Sequence, residues 1–428
     1  HRSVAVPGGK TAMDTLRRLL AFAGPGYLVA VGYMDPGNWA TSIAGGSRYG
    51  YLMLSVIVAS NLFAMLVQTA AVRLGLATGQ DLAQACRAEF SARTSVALWL
   101  LCEASIIACN LAEVLGMAIG LHMLFGIPLA AGVCFTALDV MLILGLQSRG
   151  FRRVEAVVVA LVTLIGVSFG LQLLYLHPPL GQVFAGLMPT RRLVADPQML
   201  YLAAGIVGAT VMPHNLYLHS ALVQTRDHAR TPQGTRLAIR HATLDSNIAL
   251  GLAMFVNAAI LVVAGSALHR PDGQAVTELG DAYRLLAPVL GATLAAVLFG
   301  GALLASGLSS SITGTLAGQI VMEGFVHMKM APAKRALLTR LVAIVPAIVA
   351  TVIFGDGAVG PLLIFSQVAL GLQLPFALVP LLMFTTRRRH LGEHAFGPLA
   401  STALWGGTAL IVALNGALAW AILAGRIG

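Results

Sequence analysis

Charge is scarce in this 428-residue sequence: Asp, Glu, Lys and Arg make up only 10% of it, against about 25% in ordinary soluble domains. With 57% hydrophobic residues and a mean hydropathy of +0.83, that shortage excludes a soluble globular domain. Cysteine is scarce too. Cys86, Cys102, Cys109 and Cys134 have no metal-type spacing, and three of them fall in apolar segments, so all four read as small packing residues. The sequence lacks His-Glu-x-x-His, and His214 and His219 at i, i+5 do not share a helical face, which argues against a membrane-embedded metallohydrolase. Residues 1–19 carry no apolar core of signal-peptide length, so no cleaved targeting segment is expected. The loops are too short for a second domain, and the basic stretch 226–247, read as a cytoplasmic loop, has no nucleotide-binding pattern.

What the sequence does have is membrane-length apolar runs. About eleven are present, at roughly 20–42, 49–73, 95–124, 127–147, 154–175, 200–224, 247–267, 286–326, 337–354, 360–384 and 399–424. The fold class is therefore an all-α polytopic membrane protein lying in a lipid bilayer. The net charge of +10 could point to nucleic acid, but its placement excludes that partner. With the N-terminus cytoplasmic, 21 of the 27 Lys and Arg residues fall on the inner side and 6 outside. That asymmetry is the positive-inside rule, and it puts the C-terminus outside.

One stretch stands out. Asp35, Pro36, Gly37 and Asn38 sit inside the first apolar run, where a carboxylate costs roughly 2.5–3.5 kcal/mol and an interior proline about 3 kcal/mol relative to Ala. Pro36 pushes Asp35 out of the helical region, so the helix breaks there. Carbonyls freed at membrane depth are tolerated only where they line a cavity or meet protein, so the break predicts a site. Residues 209–215 repeat the Pro-x-Asn spacing, aligning Met212-Pro213-His214-Asn215 with Asp35-Pro36-Gly37-Asn38. Interrupted helices in corresponding positions of two halves are the mark of a transporter binding site. Five spans per half is an odd number, so residues 20–175 and 200–384 are expected to be inverted repeats. They are flanked by a cytoplasmic 1–19, an external loop 176–199, and a loop with an eleventh helix at 385–428.

Other polar residues lie within the spans. Glu103, Asn110 and Glu113, at spacings of seven and three, share one face of the third segment, where acids commonly relay protons. His214 and His219 follow the second break, and Gln367 on the tenth segment is a candidate polar contact to the site. Asp139 and Glu155 are expected to be solvated loop-edge charges, and Ser306 to Ser311 a small-residue run for close helix packing. At the breaks, Asp35 offers a hard anionic oxygen, Asn38 a neutral one, Ala209 a carbonyl and Met212 a thioether. One soft sulfur among oxygens favours Mn²⁺, Fe²⁺, Co²⁺ or softer divalent ions over Ca²⁺ and Mg²⁺.

The paired breaks, together with Leu111-Ala112-Glu113, closely resemble the NRAMP family of proton-coupled divalent metal transporters, bacterial manganese transporters in particular, over essentially the whole chain. The resemblance implies a LeuT-like fold of five plus five helices with the first and sixth discontinuous. It implies that Asp35, Asn38, Ala209 and Met212 hold Mn²⁺ (also Fe²⁺, Co²⁺ or Cd²⁺) as the transported substrate, with no resident cofactor and no enzymatic activity. It also implies a proton route through Asp35, His214 and the acids of the third segment toward Arg335 or Arg340, a path to which His219, beside the second break, is a further candidate. One position departs from the family, since Asn110 stands where relatives place Asp and cannot carry a proton. Proton coupling is therefore expected to be impaired, and the lost charge is expected to leave an arginine of the ninth segment unpaired. The competing reading is a sodium-coupled amino-acid transporter of the same architecture, against which Asp35 argues by repelling a substrate carboxylate.

Overall fold

The structure, a computed structural model, describes residues 24–148, 151–226, 228–269, 276, 278–282, 284, 292–328, 330–353 and 355–426. Its longer helices are α1 (Pro25–Gly32), α2 (Pro36–Tyr49), α3 (Leu54–Thr78), α4 (Leu82–Glu89), α5 (Ala92–Phe125), α6 (Leu129–Phe135), α7 (Asp139–Ser148) and α8 (Phe151–Leu176). The second half continues with α9 (Pro197–Thr210), α10 (Pro213–Leu222), α11 (Pro232–Ala267), α12 (Gly301–Val326), α13 (Pro332–Ile353), α14 (Val359–Gln373), α15 (Pro375–Thr385) and α16 (Pro398–Leu423). Among the described residues, nine helical stretches are long and apolar enough to cross a bilayer. The broken pair α1/α2 and the run α6/α7 bring the crossings to eleven.

Both helix interruptions follow from local rules. Pro36 takes the first position of α2, and Asp35 caps that helix in extended conformation, its Oδ1 accepting the Asn38 N–H at 2.7 Å. Pro213 likewise opens α10, but Met212 before it caps nothing with its side chain. The carbonyls freed at the end of α1 are met by protein. Met34 O accepts from Trp39 Nε1 at 3.2 Å and Ser306 Oγ at 2.5 Å, and Tyr33 O from Asn257 Nδ2 at 2.7 Å. Trp39 is itself wedged edge-on between Phe169 and Phe299. Around this centre α5 packs along α12, and α11 along α2 and α3.

Several sequence expectations need correction. The stretch 226–247 is mostly not a loop, because α11 runs 36 residues from Pro232. Asp139 and Glu155 are not solvated loop-edge charges: they are 7% and 4% exposed and pair with Arg340 and Arg226 respectively. A carboxylate at a helix end looks solvated in sequence, but here the partner cation comes from a distant part of the chain. Arg226, Arg335 and Arg340 are therefore buried partners rather than inner-surface charges. Removing these three still leaves 18 basic residues against 6. The serine run does more than pack, as Ser306, Ser310 and Ser311 donate to Met34 O, Glu113 and Asp139. The expected segment 1–19 and the first residues of the run at 286 lie outside the described residues.

Candidate metal site at the crossing of two helix breaks

The breaks at 33–35 and 211–212 meet at the centre of the bundle. Asn38 Nδ2 donates to Asp35 Oδ1 at 2.8 Å and to Ala209 O at 3.0 Å, tying the first break to the second. Asn215 reciprocates: its Nδ2 donates to Val29 O at 3.5 Å and packs so closely on Gly32 that a Cβ there would collide with it. Met212 is fully buried against Cys109, whose thiol lies 4.0 Å from Asp35 Oδ2 and 3.5 Å from Glu113 Oε1. Asp35, Asn38, Ala209 and Met212 are thus drawn together, each at most 2% exposed. Gln367 reaches the same place, because a side chain on Gly37 would occupy the position of its amide, and its Oε1 has no hydrogen-bond partner among the described residues.

Among the described residues, no three His, Cys, Asp or Glu side chains converge as a metal cluster. The centre instead offers one carboxylate, one backbone carbonyl, side-chain amides and a thioether. That donor set has a single formal charge and one soft atom, the composition discussed above for a transition-metal ion.

The remaining candidates fall into two groups. His214 follows Pro213, buried, with no partner on Nδ1 among the described residues, while His219 Nδ1 bonds Gln68 Oε1 at 2.8 Å and Gln68 Nε2 donates to Tyr33 Oη at 2.7 Å. Along α5, Glu113 accepts from Ser310 Oγ at 2.8 Å and lies 3.6 Å from Arg340. Arg340 also engages Asp139 and Ser311. Glu103 accepts from Arg335 at 2.6 Å and from Trp99 Nε1 at 2.9 Å. Asn110 turns back on its own helix, donating to Ile106 O at 2.8 Å. The expectation that its neutral side chain leaves an arginine unpaired is therefore wrong, since Arg335 has Glu103 and Arg340 has Asp139 and Glu113.

Gln68 is an interhelical hydrogen-bond candidate by sequence and makes such bonds here, to His219 and Tyr33, whereas sequence reasoning did not assign to the site Cys109, Asp139 or a group at the start of α1. There Asp245 accepts the Gly26 N–H at 2.7 Å and the Gly24 N–H at 3.3 Å, close to the Glu155–Arg226 pair. The sequence signal for Asp245 is its place on α11, within the stretch 226–247 whose charge suggests a loop.

Known proteins resemble this chain in sequence and shape. Residues 26–421 match the family described as natural resistance-associated macrophage protein-like, Nramp. A divalent metal cation transporter of Bradyrhizobium diazoefficiens is 54% identical over 97% of this chain and 92% of that relative. One from Nostoc sp. is 52% identical over 99% of this chain and 94% of that relative. The crystal structure of a manganese transporter from Eremococcus coleocola superposes with a TM-score of 0.88 at 40% identity, covering 96% of this chain and 88% of that one. At 16% identity and a TM-score of 0.60, Mhp1, a nucleobase-cation-symport-1 transporter, shares the fold alone. The architecture is the expected one: eleven crossings in the LeuT-like arrangement, with the first and sixth helices discontinuous.

Proposed function

This chain belongs to the Nramp family, a family of membrane transporters rather than enzymes, and on that premise we propose that it imports Mn²⁺ and related divalent ions together with protons by alternating access. The membrane is the bacterial cytoplasmic membrane, with the N-terminus inside and the C-terminus outside, an orientation supported by the distribution of basic residues. The inverted repeats are 20–175 and 200–384. The observation that carries the reading is the convergence of Asp35, Asn38, Ala209 and Met212 where two helix breaks cross. The named relatives favour a metal over an amino acid as cargo.

In the site, the Asn38 amide N–H₂ occupies the place between Asp35 Oδ1 and Ala209 O that a cation would take. Binding then asks for a turn of that amide, so that its oxygen replaces its nitrogen and three oxygens face the ion beside the Met212 sulfur. The exchange trades two neutral donors for a divalent charge next to a buried carboxylate, a change that favours the ion in a low-dielectric centre. The opposed half-helix ends, N-terminal at α2 and α10 and C-terminal at α1 and α9, supply the remaining dipoles. Protons run through Asp35, His214, His219 and the α5 face of Glu103, Asn110 and Glu113 toward Arg335 and Arg340. Asn110 weakens this coupling.

Purified protein in sealed proteoliposomes is expected to accumulate Mn²⁺ down an imposed gradient and to lose that uptake in Asp35→Ala. Sodium-driven amino-acid uptake without Mn²⁺ uptake would overturn the assignment.

A further inference from the structure

Away from the ion path, an apolar cavity of about 370 Å³ opens between α3, α9 and α16, lined by Val56, Phe63, Leu193, Val207, Val211 and Leu410 among others. This volume falls in the roughly 300–1,000 Å³ range of sites that hold small ligands. The lining serines, Ser55 and Ser60, donate to Leu52 O and Ile57 O of their own chain segment at 3.2 and 3.1 Å, so they make no polar demand on an occupant. The cavity follows α9, whose 14 residues cover about 21 Å at roughly 1.5 Å per residue. It therefore runs from the surface connection toward the middle of the bilayer, where the surrounding medium is acyl chain.

Its mouth has a different character. Arg191 and Arg192, both exposed, directly precede Leu193 and Val194, which form the rim. The connection leading there exposes Leu180, Phe184 and Met188, an apolar set left uncovered by the described residues. It is clamped to the start of α3, where the Ser55 N–H donates to Gly186 O at 3.1 Å. Exposed apolar side chains beside arginines on a connection at the membrane edge have the composition of an interfacial element.

We propose that the cavity and the Arg191–Arg192 pair form a binding site for one anionic phospholipid, with an acyl chain in the cavity and the phosphate on the arginines. Charge complementarity selects the headgroup, and the apolar, membrane-deep lining selects the chain. Val207 and Val211 belong to the wall and flank Ala209, so a bound chain braces α9, the helix that ends at the second break, against α3 and α16. Each arginine near a membrane surface contributes about a five-fold preference for anionic lipid, so on the order of twenty-five-fold for the pair at low salt.

Native mass spectrometry of the detergent-solubilised full chain, titrated with phosphatidylglycerol or phosphatidylcholine, tests the site. The unaltered chain is expected to retain one phosphatidylglycerol at least ten-fold more tightly than phosphatidylcholine. Arg191→Gln with Arg192→Gln should reduce that preference to less than about two-fold, and Ala59→Trp, which fills the cavity from its exposed wall on α3, should remove the retained lipid of either kind. A fluorescence-monitored melting curve separates lost binding from lost folding. If Ala59→Trp does not fold, cocrystals with chain-brominated phosphatidylglycerol decide, since bromine between α3, α9 and α16 supports the site and bromine only elsewhere overturns it. An unchanged headgroup preference in the double arginine variant overturns it equally.

Discussion

The two helix breaks share one skeleton and are finished differently. Each places proline at the first helical position and asparagine two residues on, and each asparagine reaches across to the other break, Asn38 to Ala209 O and Asn215 to Val29 O. The first break is closed by its own carboxylate, with Asp35 Oδ1 capping Asn38. The second has no side-chain cap and presents a thioether instead. Breaking the helix is therefore local proline geometry, and the chemistry comes from the single residue before each proline, hard and charged on one side, soft and neutral on the other. The two breaks, built alike, thus bring unlike donor atoms to one centre.

The difference is sharpest when each residue is removed in turn. Asp35→Asn keeps a good cap, since Asn is as favourable as Asp there, but takes away the only formal charge among the proposed ligands. Its dissociation constant for Mn²⁺, measured by calorimetry, is expected to rise by more than about 100-fold, above the 10- to 100-fold typical of losing an outer partner. Met212→Ala leaves the charge and removes the soft atom. Mn²⁺ uptake should fall modestly while Ca²⁺ competes roughly ten-fold better. Unchanged exclusion of Ca²⁺ would mean that the second break does not set selectivity and that the two breaks are functionally alike.

How much of this was legible in the sequence depends on the range of the interaction. The breaks were, because proline, the residue before it and the asparagine after it act within four residues. The crossing of the two breaks was legible only through their repetition. Buried pairings were not: Asp139 meets Arg340 from 201 residues away and Glu155 meets Arg226 from 71. Periodicity says nothing about which helix supplies the counter-charge, so both acids looked solvated. Asn110 was misjudged for the same reason.

That correction changes the prediction for Asn110, the residue next to Cys109 at the edge of the site. Because Arg335 and Arg340 are already paired, Asn110→Asp brings a carboxyl to a buried face with no arginine waiting for it, and it forfeits the donor to Ile106 O. A carboxyl so placed takes up a proton readily, which is what a relay between the first break and Glu113 requires. Metal-stimulated acidification of dye-loaded proteoliposomes is expected to rise roughly two-fold or more in Asn110→Asp. Equal rates would remove α5 from the proton route and leave the breaks as the whole mechanism.

The smallest effect comes from a second Asp-Pro pair, Asp196-Pro197, which tests whether the dipeptide or its depth makes the site. Asp196 caps α9 by the same geometry as Asp35 caps α2, accepting the N–H groups of Gln198 at 2.9 Å and Met199 at 3.3 Å, and it takes the Tyr49 hydroxyl at 2.8 Å. It lies at the surface end of the helix. Partial burial pushes its carboxyl up, but the bonds from Tyr49 and the two N–H groups, with Arg48 nearby, outweigh this and hold it below the ordinary carboxylate range. A folded value below the unfolded one means that the contribution is complete at neutral pH and is lost as pH falls through the folded value, below about 4. Asp196→Asn keeps the cap, since Asn is as favourable as Asp there, and loses only the charge at the helix N-terminus, so it is expected to cost about 0.5 kcal/mol at pH 7, seen as a melting point lower by about 1 °C or less. That gap should close in acid, and Mn²⁺ affinity should stay within about two-fold, because no second break faces this cap. A large loss of Mn²⁺ binding in Asp196→Asn would show that the outer cap positions the metal ligands through α9, and that the contrast between the two breaks extends to the surface.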